Sequence, residues 1–173
     1  MSAPHHAHAL VALGSNLGDP LEQLRRAARG LTDLAVSVRL SSLYRTVPVG
    51  GPADQPPFLN GVALLEPSPG WSRPEALLEA LLAIERRQGR LRRERWGPRT
   101  LDLDLLAQGG EHLQTPLLTL PHPRMMERSF VLAPLCELCP DWRHPLTGET
   151  ACAALVRVGT SGVERTRLAW GTG

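Results

Sequence analysis

The spacing of apolar residues along this chain changes period several times, and each change marks an element. His8 to Leu13 is a short apolar run leading into Gly14-Ser15-Asn16-Leu17-Gly18, which predicts a buried strand and a tight turn. The period then lengthens. Leu21, Leu24, Ala27, Ala28 and Leu31 recur at helical spacing, Asp19 is a good N-cap and Pro20 suits the first helical position. Residues 34–46 alternate and predict a second strand. Residues 47–57 hold four prolines and two glycines, so they form a loop, and one long enough to carry a function. Phe58 to Leu65 predicts a third strand. Ser72 with Glu75 three residues on is a capping-box signature, opening a helix through Leu77, Leu78, Leu81, Leu82 and Ile84 that ends near Gly89. A loop from Arg90 to Thr100 leads into a strand at Leu101 to Ala107. The order β-α-β-β-α-β predicts an α+β chain with a ferredoxin-like core, an antiparallel sheet backed by two helices. From Gln108 on, the pattern predicts a short edge segment and a C-terminal helical extension. That fold hosts many activities, so function has to be read from particular residues.

Composition narrows the classes. The 173 residues suit a single domain spanning 1–173, and 42% hydrophobic with 21% charged residues is the balance of a globular protein. No apolar run approaches membrane-spanning length, so no membrane partner is expected. Met1 to His8 lacks the basic start and apolar stretch of an export signal, which makes the cytoplasm the expected compartment. Cys136, Cys139 and Cys152 are an odd number and cannot all pair. With His144 they offer four potential zinc ligands. The preferred reading is that Cys136 and Cys139, in a strongly apolar segment, pack as small hydrophobes. His5, His6 and His8 read as part of a frayed terminus.

Charge is informative through its distribution. The net charge is only +2 and all nineteen basic residues are arginine. Seven of them (Arg86, Arg87, Arg90, Arg92, Arg93, Arg95 and Arg99) fall within fourteen residues that hold one acid, Glu94. Such a cluster in a nearly neutral protein marks a site for phosphate. Directly after it comes Leu101-Asp102-Leu103-Asp104-Leu105. Strand alternation puts the leucines on one face and the two carboxylates on the other, about 6.5–7 Å apart along the chain. Alone, D-x-D is equally a solvated strand face. Beside seven arginines it suits magnesium, which takes few protein oxygens and completes its shell with water and substrate phosphate. Gly14 to Gly18 matches no phosphate-loop pattern and reads as a structural turn. Phe58 and Asn60 suit a flat heterocycle through stacking and amide pairing, although Phe58 taken alone reads as core.

Five ordered segments then carry a resemblance: Ala12-Leu13-Gly14-Ser15-Asn16-Leu17-Gly18-Asp19, Ser41-Ser42-Leu43-Tyr44-Arg45-Thr46, Gln55-Pro56-Pro57-Phe58-Leu59-Asn60, Arg95-Trp96-Gly97-Pro98-Arg99-Thr100-Leu101-Asp102-Leu103-Asp104 and Leu120-Pro121-His122-Pro123-Arg124-Met125. From about Leu10 to Pro145 the chain resembles the 6-hydroxymethyl-7,8-dihydropterin pyrophosphokinases of folate biosynthesis. The resemblance implies two magnesium ions, bound with ATP and held by Asp102 and Asp104. It implies a pterin site of Thr46, Pro48, Val49, Phe58, Asn60 and Phe130, with the ring stacked between the two aromatics. It implies nucleotide contacts from Arg92, Arg95, Arg99, Leu105, Thr119, His122 and Arg128, and a mobile catalytic loop that includes Trp96. The expected partners are ATP and the hydroxymethyl dihydropterin, with no nucleic acid, and the expected state is a monomer. Phe58 departs from the tyrosine common in the family, and Leu82 and Leu117 stand where some relatives carry polar or basic nucleotide contacts.

Two rival classes share parts of this pattern. Ferredoxin-like sheets bind RNA, but that use needs exposed aromatics on the central strands, where this chain would present aspartates. A two-metal phosphodiesterase would use the same carboxylates.

Overall fold

Strand β1 (Ala9–Ser15) owes its central place to a sequence that is apolar on both faces, as a strand covered from both sides must be. It pairs antiparallel with β4 (Phe58–Pro67) on one edge and with β5 (Asp102–Gln108) on the other. The structure is a computed structural model and describes residues 8–48, 54–89 and 100–171. Beyond β4 lie β2 (Ala35–Leu40) and β3 (Tyr44–Thr46), both paired with it, and β8 (Val163–Arg165) closes that edge against β3. The sheet order β5-β1-β4 followed by β2 and β3 is the one that β-α-β-β-α-β connectivity requires.

Helices α1 (Pro20–Thr32) and α2 (Pro74–Arg87) cover one face. Leu24, Ala27, Leu31, Leu77, Leu81 and Ile84 bury against Val11, Leu13, Leu103 and Leu105 in one continuous core. Asp19 caps α1, its carboxylate accepting from the Glu22 N–H at 3.1 Å. Gly89, at φ +76°, provides the left-handed residue just past α2. At one end of the opposite face, α3 (Ser129–Leu138) and α4 (Ala151–Val158) pack Val131, Leu132, Leu135 and Ala154 against Leu10, Val62 and Leu106. Strands β6 (Leu113–Gln114) and β7 (Thr119–Leu120) form a short separate ladder, and the Leu120–Pro121 bond is cis.

Four expectations change. The single strand over 34–46 is two strands broken at 41–43. There the Ser41 N–H donates to the Val62 carbonyl while the Ser41 hydroxyl accepts from the Val62 N–H, keeping both backbone groups satisfied through the break. The capping box at Ser72 does not form. Its hydroxyl bonds the Pro69 carbonyl within a 3-10 turn at Pro69–Trp71, and α2 starts at Pro74 without a side-chain cap. Cys136 and Cys152 are joined in a disulfide, with Cα atoms 4.9 Å apart, which stitches α3 to α4. That removes two of the four zinc ligands considered above and leaves only Cys139 as a free thiol, half-buried, its pKa raised by burial. Finally, the C-terminal part is not purely helical, since β8 extends the main sheet.

Candidate active site

Alternation on β5 puts Leu103 and Leu105 into the helix-backed core and turns Asp102 and Asp104 to the opposite face. Their register partners on β1 are Gly14 and Ala12, two of the smallest residues. Gly14 is in turn paired with Asn60 on β4, and Asn60 with Tyr44 on β3. One transverse row of the sheet therefore reads Asp102, Gly14, Asn60, Tyr44. Asp102 and Asn60 lie two strand spacings apart, roughly 9.5–10 Å.

The glycine in that row has a steric reason. A Cβ on Gly14 would stand 2.7 Å from Asn60 Oδ1 and 3.9 Å from Phe58 Cδ1. The Asn60 amide lies across the bare backbone of β1, and its Nδ2 donates to Thr46 Oγ1 at 2.6 Å. Both residues are buried. Asn16, at the end of β1, donates through Nδ2 to Gln55 Oε1 (3.2 Å) and to the Pro56 carbonyl (3.0 Å). The first turn thus holds the approach to Phe58, a tie across forty positions that no local pattern could reveal.

A second group comes from the segment after β7. The His122 N–H donates to the Leu106 carbonyl at 2.7 Å, anchoring the histidine to the carboxylate strand. Its Nδ1 accepts from the Arg124 N–H at 3.2 Å. Burial, then the positive charge of Arg128, pushes the imidazole down to about 4, against an opposing pull from Asp102. His122 is therefore neutral near pH 7, and Asp102 and Arg128 are both close enough to be felt by it. Arg128 is the residue before α3, with its guanidinium carbon 5.6 Å from the centroid of the Phe130 ring. Phe130 is half-buried at the margin of the α3–α4 core. Pro134 has no N–H to give the Phe130 carbonyl, which loses its usual helical donor.

Among the described residues, Asp102, Asp104, Thr46, Phe58 and Asn60 share one face of the sheet, and the contacts above tie His122, Arg128 and Phe130 to it. Pro48 follows Thr46 by two residues and is partly buried. Thr119 lies on β7, next to the cis turn that leads to His122. Leu105 has its side chain in the helix-side core, so only its main chain can meet a nucleotide. Val49, Arg92, Arg95, Trp96 and Arg99 lie outside the described residues. Among residues not anticipated from sequence, Glu85 is the most telling. It is buried on α2 and its Oε1 accepts from the Leu103 N–H at 2.9 Å, between the two aspartates. A glutamate on the apolar stripe of a helix was the available signal.

The chain is thus a ferredoxin-like α+β domain with a carboxylate pair on strand β5, on the sheet face opposite α1 and α2. The model of the 7,8-dihydro-6-hydroxymethylpterin-pyrophosphokinase (HPPK) family matches residues 10–140, and the chain belongs to that family. It is 48% identical over 157 residues to the 2-amino-4-hydroxy-6-hydroxymethyldihydropteridine pyrophosphokinase of Pseudomonas aeruginosa, covering 90% of this chain and 94% of that one. It is 45% identical over 163 residues to the enzyme of that name from Synechocystis, covering 92% and 81%. Among solved structures it resembles Plasmodium falciparum HPPK-DHPS, with a TM-score of 0.67 at 14% identity for both a triple mutant and the wild type. The chain spans under half of those longer proteins: 87% of this chain on 43% of the mutant, and 91% on 47% of the wild type. That likeness concerns the fold alone.

Proposed function

We propose that the chain transfers the diphosphoryl group of ATP to the hydroxymethyl oxygen of 6-hydroxymethyl-7,8-dihydropterin, releasing AMP, as a step of folate biosynthesis. The observation that carries this reading is the transverse row on the sheet face opposite α1 and α2, with a carboxylate pair at one end and an amide beside aromatic carbon two strands away. The distance between them suits a substrate whose flat ring and reacting hydroxymethyl arm must reach from one to the other.

The pair fits magnesium. Asp102 and Asp104 share a face flanked by Gly14 and Ala12, and no third His, Cys, Asp or Glu joins them into a metal cluster among the described residues. Two carboxylates on one strand face suit ions that take the rest of their shell from phosphate oxygens and water. When bound, two magnesium ions supply charge neutralisation on the triphosphate and polarise the β-phosphorus. The chain's own residues do the rest. Asn60 and Thr46 hold the ring edge, with the Asn60 Oδ1 over Gly14 as acceptor for ring N–H groups. Phe58 and Phe130 stack on the ring, and the main chain of Thr46 and Val49, beside Pro48, lines its rim. Neutral His122 and cationic Arg128 meet the nucleotide, His122 able to bond phosphate oxygen without adding charge. Arg92, Arg95 and Arg99 complete the phosphate contacts, with Trp96 in the same loop, while Leu105 and Thr119 border the nucleotide.

The hydroxymethyl oxygen then attacks the β-phosphorus, its proton is lost, and the bond from that phosphorus to the oxygen bridging the α-phosphate breaks to release AMP. The chain acts as a cytoplasmic monomer in this reading. The test is AMP release from ATP and magnesium with and without the hydroxymethyl dihydropterin. Pterin-dependent AMP with diphosphorylated pterin is expected. AMP without pterin would point to a hydrolase, and none in either case would overturn the assignment.

A further inference from the structure

Helix α3 carries two residues on one line. Phe130 and Glu137 are seven positions apart, close to two full turns, so they project from nearly the same side of the helix about 10.5 Å apart. Phe130 heads the end nearest the active site, and Glu137 grips the sheet. Its Oε1 accepts from the Tyr44 hydroxyl at 2.7 Å, and its Oε2 accepts from the Ser42 hydroxyl at 2.9 Å and the Ser42 N–H at 3.0 Å. Arg165 on β8 stands 3.8 Å from the same carboxylate and donates through Nε to the Ser42 hydroxyl at 3.1 Å.

Three donors and a nearby guanidinium converging on one carboxylate at a helix end are more than surface decoration. The Glu137 side chain is still 29% exposed, and burial alone would raise its pKa. The bonds from Tyr44 and Ser42 and the charge of Arg165 outweigh that and hold it below the usual carboxylate value. Tyr44 is buried, and burial, with Glu137 beside it, raises its phenol in the same direction as its role as donor. What the carboxylate grips matters most. Ser42 lies in the break between β2 and β3. Tyr44 is in register with Asn60 and shares a face of β3 with Thr46, two residues on.

We infer that Glu137, through Tyr44 and Ser42, is a positioning residue that sets the width of the pterin slot, fixing the helix that carries Phe130 against the strands that carry Thr46 and Asn60. This rests on the reading of Phe130 and Asn60 as pterin contacts given above. Its consequence is selective. The latch holds the helix-to-β3 spacing, whereas the carboxylate pair sits on β5 at the other end of the row and, among the described residues, only Arg128 links α3 to the nucleotide, so loss of the latch should loosen pterin binding far more than nucleotide binding.

The experiment measures the affinity of 6-hydroxymethyl-7,8-dihydropterin in the presence of magnesium and a non-hydrolysable ATP analogue, the affinity of that analogue, and the melting temperature. The variants are Tyr44→Phe, Glu137→Gln, their combination, Phe130→Ala, and Leu138→Ala as a buried α3 residue outside the latch. Each latch variant is expected to weaken pterin binding by about five- to twentyfold, with analogue binding changed less than about twofold. The double variant should lose little more than the worse single one, because the two groups form one contact. Normal pterin binding in both latch variants while Phe130→Ala loses it would overturn the latch and leave the slot standing. Normal binding in Phe130→Ala would sink the slot reading and this inference with it. If Leu138→Ala, at an equal drop in melting temperature, weakens pterin binding equally, Glu137 is packing only and the proposal falls.

Discussion

The two faces of strand β5 do different work with adjacent residues. Leu103 is 3% exposed in the helix-side core, while Asp102 and Asp104 on either side of it are part-buried on the opposite face of the sheet. A leucine core can lose a side chain only by weakening the fold, whereas the carboxylate pair takes no part in that apolar packing. Two like charges about 6.5–7 Å apart repel by roughly 2.5 kcal/mol at an effective dielectric near 20, a contribution whose sign a bound cation reverses. The lesson is that alternation lets one short strand carry stability and chemistry with almost no coupling between them.

The sharpest break in that comparison is Asp102→Ala or Asp104→Ala. Each should lower turnover by orders of magnitude while pterin binding and fold persist. Steady-state kinetics with magnesium as the only metal checks this, and near-normal turnover in either variant would remove the pair from the mechanism. Leu103→Ala is the mirror case. It should cost about 2–5 kcal/mol in stability, read by urea titration, with turnover per folded molecule nearly preserved.

Gly14→Ala probes the middle of the row, where stability and chemistry touch. The added Cβ at 2.7 Å from Asn60 Oδ1 must push the amide aside. Pterin affinity should fall by about tenfold, a loss of roughly 1.4 kcal/mol, with the melting temperature little changed. Calorimetry showing unaltered pterin binding would mean that Asn60 does not meet the ring.

Much of this geometry is legible in the sequence because it depends on period alone. The strict Leu-Asp alternation over 101–105 dictates opposite faces for the two residue types wherever the strand ends up. The order of strands and helices follows from changes of period in the same way. What escapes is whatever depends on distant partners. The break at 41–43 is invisible because a serine hydroxyl substitutes for a ladder bond. Ser72 has the spacing of a cap, yet its hydroxyl finds Pro69 first. An odd cysteine count forbids complete pairing but says nothing about one bridge, and Cys136 meets Cys152 only because α3 packs on α4. Strand β8 is short and half-exposed, with no apolar pattern to announce it. Glu137 could not be told from any solvated helix residue until Tyr44 and Ser42 were placed against it.

His122 gives the smallest expected effect and a test of the same comparison by pH. Burial and Arg128 hold its folded pKa near 4, whereas the unfolded chain takes up the proton near the ordinary 6.5. Between those values the unfolded state binds more protons, so stability contributed by this group is complete above about pH 6.5 and is lost as pH falls toward 4. His122→Gln should therefore lose less stability than the parent chain between pH 7.5 and pH 5, in urea titrations of the metal-free protein. Asp102 opposes the depression, so Asp102→Asn should lower the His122 pKa further, visible as a shifted imidazole titration by NMR. Leu103→Ala, on the other face of the same strand, should leave that titration where it was. An imidazole that titrates near 6.5 in the parent chain would mean that His122 is solvated, and that the carboxylate strand and the His122 segment do not share one site.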